Sequence, residues 1–335
     1  MTLSVGIVGF RGYSGAELVR LLERHPHTEA VLLEHRADSD DRPLPRGTKG
    51  PRRAPADASS VKAEGLVAVF LATPPEVSME LTPAFLAAGA KVIDFSGAFR
   101  LRTAANYKHW YKEEHTAPDL LNEAVYGLPE FYVDQIRSAR LLSNPGCYPT
   151  AANLAIRPLV EAGIVDRSAG IVCDAKSGVS GAGRKPTLKT AFCEVTENFS
   201  AYSILDHRHV PEVLQNSELE ASEFAFTAQL IPIDRGILET IYFRTNETLE
   251  PAQIVDHYES FYRGKPFVRL YDANRVPDLK AVQRTNFCDI GFKYDRATRR
   301  CVVVSVIDNL GKGAAGQALQ NFNVMFGCPE TEGLL

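Results

Sequence analysis

A short apolar strand, a glycine-spaced turn and an amphipathic helix open this chain, and their order limits the fold more than anything after it. Residues 3–9 read as a strand that runs into Gly9-Phe10-Arg11-Gly12-Tyr13-Ser14-Gly15. Leu18, Val19, Leu21 and Leu22 then mark one buried helix face, and a second strand follows at 30–34. A βαβ unit with a glycine-rich first turn suits a dinucleotide, because glycine lets the backbone approach a pyrophosphate at the helix N-terminus. The glycines here are spaced Gly-x-x-Gly-x-x-Gly. A triplet alone is a weak signal, so its place between strand and helix carries the reading.

Near-continuous apolar strands follow at 66–72 and 91–95, with a helix near 79–88 between them and a last strand at 141–142. Such strands suit a parallel sheet buried on both faces. After residue 150 the pattern changes. Strand-like runs at 170–175, 224–233, 238–244, 287–294 and 300–307 suggest a mixed, largely antiparallel sheet, with helices at 210–221 and 251–262. A helix at 313–326 is apolar on one face and fits back against the first domain. The expected fold class is α/β: a Rossmann-type, doubly wound parallel-sheet domain plus an α+β catalytic and dimerisation domain. The division expected is 1–146 with 309–335 for NADP binding, and 147–308 for catalysis, substrate and oligomerisation.

At 335 residues, 45% hydrophobic, 23% charged and net charge −4, the chain fits a soluble two-domain protein with no nucleic-acid partner. No apolar run reaches membrane-spanning length, and no charged leader with an apolar core opens the chain, so a cytoplasmic location is expected. The basic stretch 42–53 reads as an exposed loop or as help in holding a phosphate. Six cysteines, at 147, 173, 193, 288, 301 and 328, form no Cys-x-x-Cys pair and no Cys/His cluster of zinc spacing, so no metal is expected. Five of them read as reduced, buried thiols.

Cys147 is the exception. It sits in Ser143-Asn144-Pro145-Gly146-Cys147-Tyr148-Pro149-Thr150, between a strand and a helix running to about residue 162. Pro-Gly makes a tight turn before the sulfur, and Pro149 suits a first helical turn. The thiol then lies at a helix N-terminus, where the dipole favours thiolate. The rival reading is a buried core cysteine. Pro158 inside the same helix predicts a kink or break.

His207-Arg208-His209-Val210-Pro211-Glu212 packs two histidines, an arginine and a carboxylate before a helix start. Proton transfer near neutral pH, metal binding by the two histidines and simple surface placement all remain open at this point. Residues 176–185, a Gly/Ser loop ending in Arg184 and Lys185, fit an anion or cofactor site or a linker. Arg100 follows a strand end on the side where open α/β sheets bind ligands. Arg36, after the second strand, suits the 2′-phosphate of NADP, although Glu34 beside it suits the ribose of NAD.

At these points the chain resembles the N-acetyl-γ-glutamyl-phosphate reductases, within the wider aspartate-semialdehyde dehydrogenase group. The resemblance rests on Gly12-Tyr13-Ser14-Gly15-Ala16-Glu17-Leu18, Tyr126-Gly127-Leu128-Pro129-Glu130, Asn144 to Thr150, 176–185, His207 to Glu212, and Lys312-Gly313-Ala314-Ala315-Gly316-Gln317-Ala318. It implies NADPH-dependent reduction of an acyl phosphate to an aldehyde through a Cys147 thioester. It also implies a proton-transferring histidine, His209 ahead of His207, with Glu212 as orienter. Backbone N–H groups at the Cys147 helix start, together with Asn144, would hold the oxyanion; Arg100, Arg184 and Lys185 would hold phosphate. NADP(H) contacts would come from Gly9, Arg11, Gly12, Tyr13, Ser14, Gly15, Arg36, Thr73, Ser177, Gly178 and Asn309. A homo-oligomer, dimer or tetramer, is implied too. The chain departs from the family at Thr73-Pro74-Pro75-Glu76-Val77-Ser78, where many relatives carry Pro-His-Gly. The rival functions are the same chemistry on a carrier-bound aminoadipyl or glutamyl phosphate, aspartate-semialdehyde dehydrogenase, a cysteine hydrolase, and a non-catalytic NADP sensor.

Overall fold

The structure, a computed structural model, describes residues 2–35 and 50–335. Two compact units emerge. The first takes the described residues of Met1–Lys108 with Glu113–Asn144 and Ala318–Leu334; the second takes His109–Lys112, Pro145–Gln317 and Leu335.

The first unit is built on β1 (Leu3–Val8), α1 (Tyr13–Leu22), β2 (Thr28–Glu34), β3 (Arg52–Pro55), α2 (Ala58–Ala63), β4 (Ala68–Leu71), α3 (Pro75–Ala87), β5 (Lys91–Asp94), α4 (Ala104–Tyr111), β6 (Val125–Tyr126), α5 (Pro129–Ser138) and β7 (Leu141–Ser143). Its sheet has the order β3-β2-β1-β4-β5-β7-β6, and every pair is parallel. Ala68, Val69, Phe70 and Leu71 are all fully buried, as a strand covered on both faces requires. From β1 the chain goes to β2 and β3 on one side and to β4 and β5 on the other. The carboxyl ends of β1 and β4 therefore flank a switch point, where a ligand crevice belongs.

The second unit holds α6 (Cys147–Glu161), β8 (Ile171–Ser177), α7 (Phe192–Val195), β9 (Ser200–Tyr202), α8 (Val210–Ser217), β10 (Phe224–Leu230), β11 (Ile237–Arg244), α9 (Pro251–Phe261), β12 (Val268–Leu270), β13 (Cys288–Asp295) and β14 (Arg300–Ile307). Its sheet order is β12-β13-β14-β11-β8-β10-β9. β8/β10 and β12/β13 are parallel and the other four pairs antiparallel, so the sheet is mixed as expected. Buried and open positions alternate along β8 and β11, which leaves one sheet face covered and the other open.

Three local expectations change. The helix expected at 313–326 begins with a π-helical turn at Gly311–Ala315 and continues as α10 (Gly316–Phe326). In the first unit its Phe322 ring meets Phe70 at 5.8 Å. The basic stretch 42–53 is no simple loop where it is described, because Arg52 and Arg53 begin the edge strand β3. The break expected at Pro158 does not occur: α6 is one element to Glu161. Pro158 cannot donate to Leu154 O, four residues back, but the Tyr262 hydroxyl donates to that oxygen instead. The Tyr258 hydroxyl donates to the next carbonyl, Ala155 O, at 2.6 Å.

Candidate active site

Cys147 is the first residue of α6, behind Gly146 in an extended conformation, as its sequence context predicts. Thr150 N–H donates to Gly146 O at 3.0 Å, which closes the first turn. The thiol sits at the positive end of a fifteen-residue helix. Gly313 passes so close that a Cβ on it would lie 2.9 Å from Cys147 Cβ. Of the other cysteines, 173, 288 and 301 are buried, whereas Cys193 is exposed and Cys328 half-buried. The buried reading thus fails at those two, which lie in surface segments. Burial pushes the Cys301 thiol up to about 12, and Cys173 well above its ordinary value. Neither offers a nucleophile.

Cys147 opens into a cavity of about 560 Å³ within the second unit. His207, Arg208 and His209 line it, with Tyr148, Tyr202 and Ser177. His209 caps α8, and its backbone N–H donates to His207 Nδ1 at 3.2 Å. The His207 proton therefore sits on Nε2. Burial first, and then the Arg208 charge, pull the His207 pKa down to about 4. The imidazole is neutral in ordinary conditions. Its ring meets His209 at 4.8 Å, Phe226 at 5.4 Å and Tyr148 at 5.5 Å. Glu212 is fully buried in the first turn of α8, and its Oε2 accepts the Gly146 N–H at 2.9 Å.

Sequence reasoning missed several parts of this cavity. The Tyr148 and Tyr202 hydroxyls meet at 3.1 Å, and burial pushes both phenol pKa values up, Tyr148 the further. Tyr148 lay in plain view beside Cys147; Tyr202 had no local signal. The cations on the lining are Lys112, Lys189 and Arg208. Arg184 and Lys185 lie exposed in the same stretch as Lys189. Arg100 and Asn144 belong to the first unit and are buried. Arg100 donates to Asn144 O at 2.9 Å and to Phe95 O at 2.6 Å, which makes it a brace for the chain leading to the cysteine turn. Asn144 Oδ1 accepts from Asn321 Nδ2 at 3.1 Å.

The cofactor candidates divide between the units. In the first, Gly9 has φ +80°, and a Cβ there would lie 2.2 Å from Ala72 O. A Cβ on Gly15 would lie 2.3 Å from Gly9 O. Only glycine lets the turn fold this tightly, and the first N–H groups of α1 have no acceptor within the helix. Gly9, Arg11, Glu34 and Thr73 line the crevice at the switch point, and Gly12, Tyr13, Ser14 and Gly15 begin or precede α1. A pyrophosphate fits this cradle. Arg36 lies outside the described residues. In the second unit Ser177 is buried, and a Cβ on Gly178 would meet Asp234 O at 2.6 Å. Asn309 accepts from Gly236 N–H at 2.7 Å and donates to Ser180 Oγ at 2.9 Å.

Among the described residues, one group has the proximity of metal ligands: His25, Cys328 and Glu332, whose ligand atoms lie within 4.8 Å. His25 Nδ1 accepts the His27 N–H at 3.2 Å, which places the ring proton on Nε2, 3.0 Å from Asn323 Oδ1. Both ring nitrogens are thus engaged, and the group anchors the C-terminal segment to the α1–β2 turn. Among the described residues no helix is long and apolar enough to cross a membrane.

Residues 4–139 match the family described as semialdehyde dehydrogenase, NAD binding domain, and 147–309 match semialdehyde dehydrogenase, dimerisation domain. The N-acetyl-gamma-glutamyl-phosphate reductase of Symbiobacterium thermophilum is 49% identical over 342 residues, covering 100% of this chain and 98% of that protein. The Bacillus subtilis reductase of the same name is 44% identical over 340 residues, covering 99% and 98%. Among solved structures, aspartate semialdehyde dehydrogenase II of Vibrio cholerae complexed with ASA superposes with a TM-score of 0.72 at 17% identity, covering 98% and 99%. Aspartate semialdehyde dehydrogenase of Candida albicans, with NADP, gives 0.69 at 15%, covering 97% and 99%. At such identities the solved structures show a shared fold alone.

Proposed function

The chain belongs to the N-acetyl-gamma-glutamyl-phosphate reductase family, and on that premise we propose that it reduces N-acetyl-L-glutamyl 5-phosphate to the 5-semialdehyde with NADPH, releasing phosphate. One observation carries the residue assignment: Cys147 starts a long helix and opens into a cavity shared with His207, His209 and three cations.

In this reading Cys147 Sγ attacks the acyl carbon, the carbon–oxygen bond to phosphate breaks, and a thioester forms on the sulfur. Lys112, Lys189 and Arg208, which line the cavity where Arg184 and Lys185 do not, hold the departing phosphate. Backbone N–H groups of the first turn of α6 face the developing oxyanion, and one such donor is typically worth about 10²–10³ in rate. When bound, NADPH would supply the hydride that reduces the thioester carbon. His209 manages the proton as the hemithioacetal collapses to aldehyde and thiol. His207, held neutral with Nδ1 accepting the His209 N–H, orients His209. Glu212 holds the cysteine turn, and Arg100 braces Asn144 ahead of it. The first unit is the cofactor domain and the second, which holds Pro145–Gln317, is the catalytic one, with Ser177, Gly178 and Asn309 as further cofactor contacts. The chain acts in the cytoplasm as a homo-oligomer through its second unit, on a small acyl phosphate and without nucleic acid.

The test is the reverse reaction: N-acetyl-glutamate semialdehyde, NADP⁺ and phosphate, followed by NADPH absorbance. Phosphate-dependent turnover that Cys147→Ala abolishes supports the reading. Turnover without phosphate, or turnover surviving Cys147→Ala, overturns it. Aspartate semialdehyde as alternative substrate should give little turnover.

A further inference from the structure

The ribose end of the first unit's crevice holds a charge arrangement that no sequence motif announced. Glu34 ends β2, at the position where an acidic residue would take ribose hydroxyls. Its Oε1 is instead 3.3 Å from Arg11 Nη2 and 3.2 Å from Arg53 Nη1. Arg53 belongs to β3 and pairs in register with Leu32 of β2. Both guanidinium groups also lie against the Phe10 ring, 4.6 Å and 5.8 Å from its centroid.

A carboxylate shared by two guanidinium groups is a weakened acceptor for a ribose diol. The three side chains together carry a net charge of about +1 at neutral pH, which attracts an anion. Guanidinium forks match phosphate oxygens in geometry as well as charge. Arg11 is 18% exposed and Arg53 and Glu34 are each 40% exposed, so a ligand can reach all three.

We infer that Arg53, together with Arg11, reads the 2′-phosphate of the cofactor's adenine ribose, and that Glu34 positions the two arginines rather than binding the ribose hydroxyls. The inference rests on the NADP(H) reading above and names the side chains that would discriminate NADP from NAD.

The experiment measures calorimetric binding of 2′,5′-ADP and of 5′-AMP, with no turnover involved. Losing a charge-assisted contact in Arg53→Ala should weaken 2′,5′-ADP by about 10- to 100-fold and leave 5′-AMP within about twofold. Arg53→Lys, which keeps charge but loses the fork, should fall between the two. Glu34→Gln should leave 5′-AMP binding unchanged. Equal weakening of both nucleotides by Arg53→Ala, no weakening of either, or loss of 5′-AMP affinity in Glu34→Gln overturns the inference. If the unaltered protein binds neither nucleotide, the cofactor reading itself fails, which is a separate outcome.

Discussion

The Glu212 carboxylate accepts the backbone N–H of Gly146 at 2.9 Å and so ties the first turn of α8 to the turn that presents Cys147. Both groups are inside the second unit, with Glu212 fully buried. The histidine motif thus does more than bring imidazoles near a thiol. Its last residue holds the nucleophile's own backbone. Glu212→Ala should leave the Gly146 N–H without that acceptor, at a cost of about 1–3 kcal/mol in stability. In the assay kcat should fall by about tenfold or more with KM little changed, since a displaced nucleophile loses geometry rather than affinity. Glu212→Gln keeps a carbonyl acceptor and should recover most of the loss. Equal damage by both substitutions would mean that the charge, not the hydrogen bond, is what matters.

Gly313 makes the neighbouring test. A Cβ there would sit 2.9 Å from Cys147 Cβ, so one of the two must shift. Gly313→Ala should cost about 1–3 kcal/mol in thermal or urea unfolding, in the range of core overpacking. It should also slow thiol alkylation at Cys147 relative to the exposed Cys193, measured by mass spectrometry of the labelled protein. An unchanged alkylation ratio would show that the strain is absorbed by α10 instead.

What could be read beforehand followed physical range. The β1–α1 opening was legible because it is local: a strand, a glycine-spaced turn and a helix lie within twenty residues. The Cys147 turn was legible for the same reason, and β14 falls at 300–307 as expected. Short edge strands such as β6 and β9 were not foreseen, since two or three residues carry no periodicity and their pairing is set by neighbours. The same applies to the site. His207, His209 and Glu212 announce themselves by clustering in sequence. Tyr202, Lys112 and Lys189 reach the Cys147 cavity only by folding, and nothing near them in the chain says so. Pro158 failed as a helix breaker because its compensation comes from Tyr262, a hundred residues away.

That compensation predicts a non-additive pair. Tyr262→Phe removes the hydroxyl that satisfies Leu154 O and should destabilise the protein by about 1–3 kcal/mol in urea unfolding. Pro158→Ala restores a backbone N–H able to donate to the same carbonyl. In that background Tyr262→Phe should cost at least about 1 kcal/mol less, the size of coupling expected for side chains sharing one acceptor. Additive costs would mean that the hydroxyl is not serving the proline's missing donor.

His207 sets the pH dependence. Its folded pKa is lowered from 6.5 to about 4, by burial first and by Arg208 second. Between those two values the unfolded chain binds a proton that the folded chain does not, so unfolding is favoured as pH falls through 6.5 and the penalty levels off near 4. Stability should therefore rise with pH across this window and reach its full value above it, by up to about 3 kcal/mol from this one group. His207→Gln removes the titration while keeping a polar side chain. Its urea midpoint should consequently change less between pH 7 and pH 4.5 than that of the unaltered protein. If both proteins lose stability in parallel over that range, carboxylates are responsible and His207 is not the neutral, buried imidazole that the His209 N–H requires.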